Sequence, residues 1–424
     1  MKVLWTVNTV PPCVAKKLKI TSSHAISWVE AMSDYLSKED DIELAIVSPG
    51  KVKKLFTTKI DNINYYIIPK DCQRIDYWKL IFNDFTPDII HAYGTEKKHN
   101  VLLIEKYGDK IPIVISLQGI ISEYIKYYYA GISMKDIWKN TTLGDIILRN
   151  GIIGGKMQFK KQIKYERRIL RGINYVEGRS DWDEAISKSI NPNLKYYYCP
   201  RMIRAPFYEK IWNKNSMEKY TILVHQGNYP IKGLHFMIDA MNILRYKYPN
   251  VKLYISGNNC FELNTIKEKI LKKGYIKYLW KKIKKYKLEE NIKFTGYLDS
   301  EEMAKLLTNV NVCVIPSAIE NAPNALAEAM IVGTPIVASY VGGNAYMLNN
   351  GEGGLLYCYD EPQMLAKRID EVFKQQEISE KISNNAYKIS RERHNPKKLV
   401  NQIKKIYVKI IQDFKKEGEF DELI

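Results

Sequence analysis

Ile315–Gly343 reads IPSAIENAPNALAEAMIVGTPIVASYVGG, and its punctuation decides the fold class. Apolar residues from Val310 to Ile315 predict a buried strand that ends at Pro316 and Ser317. A helix is expected to open around Pro323, where proline gives up only an N–H that no helical carbonyl would have accepted. The small residues Ala322, Ala325, Ala327 and Ala329 let a ligand approach the backbone closely. Free N–H groups and the positive end of the dipole at this terminus favour an anion such as a diphosphate. Glu320 precedes the helix and Glu328 lies one turn inside it, so both carboxylates are placed to accept hydrogen bonds from paired hydroxyls. Gly333 and Pro335 stop the helix, and residues 336–339 form a second strand that runs into Val341, Gly342 and Gly343.

The same alternation recurs along the chain. Strands are predicted at 3–7, 42–47, 64–68, 87–91, 113–116, 173–177 and 196–199, and again at 220–226, 252–256 and 292–295, with helices such as 27–36 between them. Repeated strand and helix argues for α/β architecture with parallel, doubly wound sheets. Ligands of such sheets sit outside the carboxyl ends of the strands, which singles out Asn8, His91 to Glu96, Gln118 and Gly119. From Lys126 to Arg171 the pattern turns helical, basic and aromatic. A polar linker then separates a first domain, 1–207, from a second, 215–397, and a helix from residue 398 follows.

With 424 residues, 46% of them hydrophobic, the chain can bury the cores of two domains. It has no run of eighteen apolar residues, and Lys2 to Val7 is too short for the core of a signal peptide, so a cytoplasmic protein is expected. Six scattered cysteines without a C-x-x-C pair indicate neither a zinc site nor a disulfide framework. A net charge of +18 points to nucleic acid, anionic lipid or a diphosphate-linked lipid as a partner. Basic residues gather at Lys156, Lys160, Lys161, Lys164, Arg167, Arg168 and Arg171, and again between Lys267 and Lys287 among Tyr275, Tyr278 and Trp280. Such a mixture suits a lipid headgroup region, and it equally suits a solvated helix face.

Glu320 and Glu328, with seven residues between them, resemble the E-x7-E signature of family 4 retaining glycosyltransferases of the bacterial polysaccharide type. Val224 to Ala240, VHQGNYPIKGLHFMIDA, resembles the phosphate loop of that family, and Ile292 to Leu306, IKFTGYLDSEEMAKL, its nucleobase-contacting strand. The resemblance implies a GT-B fold, two Rossmann-like domains facing across a cleft, with the helix 398–424 packing back on the first. It implies that Glu328 holds the donor ribose, Glu320 the donor sugar and Lys232 the diphosphate. Gly227, Asn228, Asn321, Ala322, Asn324, Ala325, Tyr297 and Leu298 would complete the donor pocket. Asn228 stands where the family usually has an arginine, a charge that Arg179, Arg201, Arg204 or the helix terminus near Asn324 would then replace. PDIIHAYGTE (87–96) and PIVISLQG (112–119) resemble acceptor-domain segments, which places His24, His91, Glu96, Gln118, Arg179 and Arg204 on the acceptor side; a core position for His91, a helix cap for Glu96 and a packing role for His24 are the alternatives.

Gln118 replaces a histidine found in many relatives and cannot take a proton, so an enzymic general base there is disfavoured. The implied activity is transfer of a hexose-type sugar from a UDP- or GDP-linked donor to a saccharide acceptor on a polyprenyl diphosphate, in capsule, exopolysaccharide or O-antigen synthesis. It would proceed at the anionic inner face of the cell membrane, with no cofactor, no metal and no nucleic acid. Asp181-Trp182-Asp183 has the look of a metal–diphosphate motif of a different fold, GT-A, but it follows Ser180 and reads as the start of a helix. The rival readings are a nucleotide-sugar epimerase or hydrolase of the same fold, and a basic nucleic-acid-binding protein.

Overall fold

The computed structural model describes residues 1–20, 27–70, 77–225, 227–257 and 273–421, and His24, Cys72, Gln226, Cys260 and residues 267–272 lie outside them. The chain divides into two compact units, 1–120 with 162–204 and 394–424, and 121–161 with 205–393.

The first unit is built on an eight-stranded sheet in the order β3-β4-β2-β1-β5-β6-β7-β8. Its strands are β1 (Lys2–Thr6), β2 (Glu43–Gly50), β3 (Phe56–Ile60), β4 (Ile63–Pro69), β5 (Ile89–Tyr93), β6 (Ile113–Ser116), β7 (Tyr175–Gly178) and β8 (Lys195–Tyr198). All neighbours run parallel except β3 and β4. This hairpin was not expected from the strand–helix alternation, and its turn residues Asp61 and Asn62 both have positive φ, as a tight turn matching the twist of its strands requires. Helices cover both faces, so alternate residues of one strand enter different cores. Val3 and Trp5 join one cluster and Leu4 the other.

The helix Pro396–Asp421 belongs to this unit. Leu399, Val400, Ile403, Ile406, Tyr407 and Ile410 form its apolar stripe, at helical spacing, in the cluster that holds Trp5. Tyr407 is fully buried, and its hydroxyl accepts from the Trp5 indole N–H at 3.0 Å and lies 2.7 Å from His91 Nδ1. With Nδ1 accepting from that hydroxyl, the ring proton sits on Nε2, facing the Glu177 carboxylate at 3.4 Å. His91 also stacks on Tyr93 at 4.2 Å between ring centroids. It is therefore a core histidine that fastens the last helix to the sheet, which corrects the acceptor-side expectation for this residue.

The second unit holds a six-stranded, all-parallel sheet, β11-β10-β9-β12-β13-β14. Its strands are β9 (Glu218–His225), β10 (Lys252–Ser256), β11 (Ile292–Phe294), β12 (Val310–Ile315), β13 (Ile336–Ser339) and β14 (Leu355–Tyr357). Residues 121–161, expected within a first domain of 1–207, cluster with this unit instead. Apolar packing of Ala130 on Phe236 and Ala318 holds them, and so do polar contacts. The neutral His235 ring donates from Nε2 to the Ala130 carbonyl at 2.8 Å while Nδ1 faces the Tyr275 hydroxyl at 3.0 Å. The buried Asp145 carboxylate accepts from the Gly274 N–H, at 2.9 Å to its nearer oxygen.

Candidate functional site

The second sheet reverses its strand order between β9 and β12, and the crevice outside their carboxyl ends is where an open α/β sheet takes its ligand. Two loops meet there. After β9 the chain passes Gly227 and makes a single turn, Pro230–Lys232, before the helix Leu234–Leu244. After β12 it runs through Pro316 to Pro323 into the helix Asn324–Val332, with Pro323 as its N-cap, one position earlier than expected. The loops are laced by the Ala318 N–H donating to the Ile231 carbonyl at 2.7 Å. Gly233 is at φ +70, and a β-carbon there would lie 1.7 Å from the Pro316 carbonyl oxygen.

This lacing brings Lys232 to Glu320. Its ammonium donates to Glu320 Oε1 at 2.6 Å, and the Ser317 hydroxyl donates to the same oxygen at 2.7 Å. The lysine side chain is 24% exposed and the glutamate 7%, so the pair is shielded from water on most sides and still reachable by a ligand. Burial alone would lower the Lys232 pKa, but the Glu320 carboxylate, Tyr229 and Tyr124 outweigh it and hold the ammonium above the usual lysine range. Glu320 is itself positioned from behind, since its carbonyl accepts from the Gly343 N–H at 3.2 Å. Gly342, at φ +48, passes so close that a β-carbon would lie 1.8 Å from that oxygen.

Glu328 is buried in the second turn of its helix, beside Cys313 of β12, whose thiol is pushed up to about 12 by burial and then by the Glu328 charge. Asn321 is buried, whereas Ala322, Asn324 and Ala325 are partly open, so the helix start is accessible. Asn228 is exposed and Gly227 buried against Leu234. Tyr297 is exposed at the end of β11, next to the partly buried Leu298 and after Gly296 with positive φ. Tyr229, Ser317 and Tyr124 are functional candidates that sequence reasoning missed. Tyr124 lies in the segment first assigned to the other domain, and the run of tyrosines around it was the only available signal.

Residues 205–389 match the family model described as glycosyl transferases group 1. Over those residues the chain is similar to group 1 glycosyl transferases, and it is a glycosyltransferase. Among relatives of this transferase is the capsular polysaccharide biosynthesis glycosyltransferase CapM of Staphylococcus aureus, 24% identical over 94% of this chain and 97% of that one. Among solved structures, sucrose-phosphate synthase from Thermosynechococcus elongatus superimposes with a TM-score of 0.72 at 15% identity, over 97% of this chain and 100% of that one. The Anabaena protein Alr3699/HepE in complex with UDP-glucose superimposes with a TM-score of 0.65 at 16% identity, over 96% and 100%. The fold of the transferase is GT-B, with two Rossmann-like domains.

The first sheet of the transferase has its own reversal, between β1 and β5. There Asn8 Nδ2 donates to Glu96 Oε1 at 3.2 Å, beyond the carboxyl ends of β1 and β5, while Lys97 is the N-cap of the helix that follows. Burial raises the Glu96 pKa, although Lys97 opposes it. His99, unremarked in the sequence, has its pKa lowered to about 4 by burial and by Lys97. Gln118 is half-buried after β6, and its carbonyl accepts from Arg179 at 2.7 Å. Arg179 also donates to the Leu117 carbonyl at 2.8 Å and is buried. Its charge holds that loop, which corrects its expected role as a ligand-binding cation. Asp183 closes a capping box with Ser180 and accepts from Tyr196 at 2.5 Å, so its carboxylate serves the helix start.

Arg204 lies near Glu30, whose pKa rises to about 7 through burial and repulsion from Asp34 despite that arginine. Between the ordinary value of 4.5 and about 7 the folded state keeps a proton that the unfolded chain has lost, so stability falls as pH rises through this window. Glu30→Gln is neutral throughout and should flatten that decline. Urea midpoints of both proteins at about pH 5 and about pH 8 measure it, and equal slopes would refute the assignment.

Proposed function

We propose that the transferase moves a hexose-type sugar from a nucleotide diphosphate donor to a saccharide acceptor, retaining anomeric configuration, in the synthesis of a cell-surface polysaccharide. The observation that carries this reading is the shielded Lys232–Glu320 pair at the reversal of the second sheet. As the glycosidic bond breaks, negative charge grows on the departing diphosphate, where the ammonium and the positive end of the helix Asn324–Val332 stabilise it. Glu320 accepts hydrogen bonds from the donor sugar and Glu328 from the ribose. The acceptor hydroxyl attacks from the face that the diphosphate leaves, its proton passing to the departing phosphate oxygen, so no enzymic base is needed.

A UDP-linked donor is supported by the likeness to HepE, whose complex contains UDP-glucose, and a capsule-type product by the likeness to CapM. The charge of +18 supports an acceptor carried on a polyprenyl diphosphate at the anionic inner face of the membrane. Calorimetric titration with UDP, GDP, ADP and their sugars tests the donor assignment. One uridine or guanosine series should bind, and Glu328→Gln should weaken it about tenfold, the value of a charge-assisted hydrogen bond pair reduced to a neutral one. Failure of every nucleotide to bind would remove the assignment.

A further inference from the structure

The short helix Leu143–Leu148 is inside out. Its Gly144 and Asp145 are buried, while Leu143 is 70%, Ile146 64% and Ile147 67% exposed. Trp138, in the helix just before it, is 64% exposed, and Met157, in the one after it, 59%. The orientation is fixed by the fold. Thr142 and Asp145 form a capping box, and the Asp145 carboxylate also takes the first N–H of the helix Gly274–Tyr286. At Gly274 a β-carbon would meet that carboxylate at 2.4 Å, so the two helices are locked together with the aliphatic residues outward. Three adjacent exposed branched side chains are costly to leave in water, and a patch of this kind marks a surface that is covered in use.

The surroundings say by what. Lys273 precedes Gly274, and Lys139, Lys277 and Lys281 lie near one another, with Asp136 the carboxylate among them. The helix Gly274–Tyr286 carries Lys277, Lys281, Lys282, Lys284 and Lys285 and no carboxylate. Arg149 directly follows the aliphatic residues, and Lys160 and Lys161 are exposed in the next helix. Among the described residues no helix is long and apolar enough to cross a membrane. An aliphatic prong with lysines on the helices that adjoin it matches an anionic bilayer, whose headgroups pair with the ammonium groups while its acyl boundary takes the prong.

We infer that Leu143, Ile146, Ile147 and Leu148 insert into an anionic lipid surface and that Lys139, Lys273, Lys277 and Lys281 bind its headgroups. This deepens the reading of the acceptor as lipid-linked, by naming the surface that meets the lipid. The test is co-sedimentation of the full chain with phosphatidylcholine vesicles and with mixed phosphatidylcholine–phosphatidylglycerol vesicles, at low and high salt. The protein should bind the mixed vesicles. Ile146→Asp combined with Ile147→Asp should weaken that binding at least about tenfold, and Lys139→Glu with Lys277→Glu should weaken it at low salt only. Leu143→Gln, alone, should show a smaller loss and serves if the double variant does not fold. Binding unchanged in the aspartate or glutamine variants, or self-association of the wild type that the same variants abolish, overturns the inference. Nucleotide titration of these variants keeps the two readings apart, since the donor pocket should bind as before whichever way the vesicles decide.

Discussion

Replacing Lys232 by methionine is expected to lower kcat/KM for sugar transfer by about a hundred- to a thousandfold, the loss that follows when one preorganised donor is withdrawn from a developing oxyanion. Methionine keeps much of the aliphatic stem and removes the charge. Glu320 would then retain its hydrogen bond from Ser317 but lose its ammonium partner, so part of the effect falls on the empty protein. Glu320→Gln in the same chain separates the two. It relieves the stranded charge and should restore stability without restoring rate, because the diphosphate still lacks its cation. Steady-state kinetics with the donor found by calorimetry, alongside thermal melting, measures both. A Lys232→Met enzyme within about threefold of wild type would show that the leaving group is stabilised elsewhere.

Gly233→Ala should cost about 3 kcal/mol or more of stability in the second unit, from a left-handed φ and from overlap with a neighbouring backbone. The φ of +70 is unfavourable for any side chain, and the added carbon would lie 1.7 Å from the Pro316 carbonyl oxygen. Backbone cannot swing away as a flexible side chain would, so the two loops must part. For a domain of about 200 residues such a loss lowers the melting temperature by roughly 6 to 12 °C. Donor affinity should fall with it, because Ala318 and Ile231, whose hydrogen bond laces the loops, flank Glu320 and Lys232. Leu234→Ala, at the next position, removes packing without touching the backbone. If both variants melt alike and bind nucleotide alike, the interlock of the loops does not matter to the site.

Local patterns carried most of the fold. Residues 252–256, 310–315 and 336–339 form strands as their apolar runs predict, and the helix Ser27–Leu36 follows its periodicity. The turns at 227–233 and 316–323 were legible for the same reason, since Gly and Pro act through backbone rules that span a few residues. What escaped depends on partners far along the chain. Whether His91 faces a ligand or the core is decided by Tyr407, 316 positions away, and no window of sequence contains both. The segment 121–161 has readable helices, but its attachment rests on Asp145 meeting Gly274 and on Ala130 meeting His235. β3 was missed because its exposed and half-buried residues make a weak strand, although Asp61-Asn62 was a turn signal. The Lys232–Glu320 bond itself was unforeseen, because proximity of two loops does not say that their charges will neutralise each other.

The bond between Trp5 and Tyr407 joins positions 402 residues apart, and this bears on how the molecule is made. A ribosome releases β1 long before it produces the last helix, so the first sheet must wait, one apolar face covered only in part by the early helices 12–17 and 27–36, while the second unit is synthesised. Loops of such span are slow to shut, and a waiting sheet of this kind is exposed to mispairing. Loss of the final thirty residues would therefore be felt first at the opposite end of the polypeptide, as failed maturation of the earliest strands.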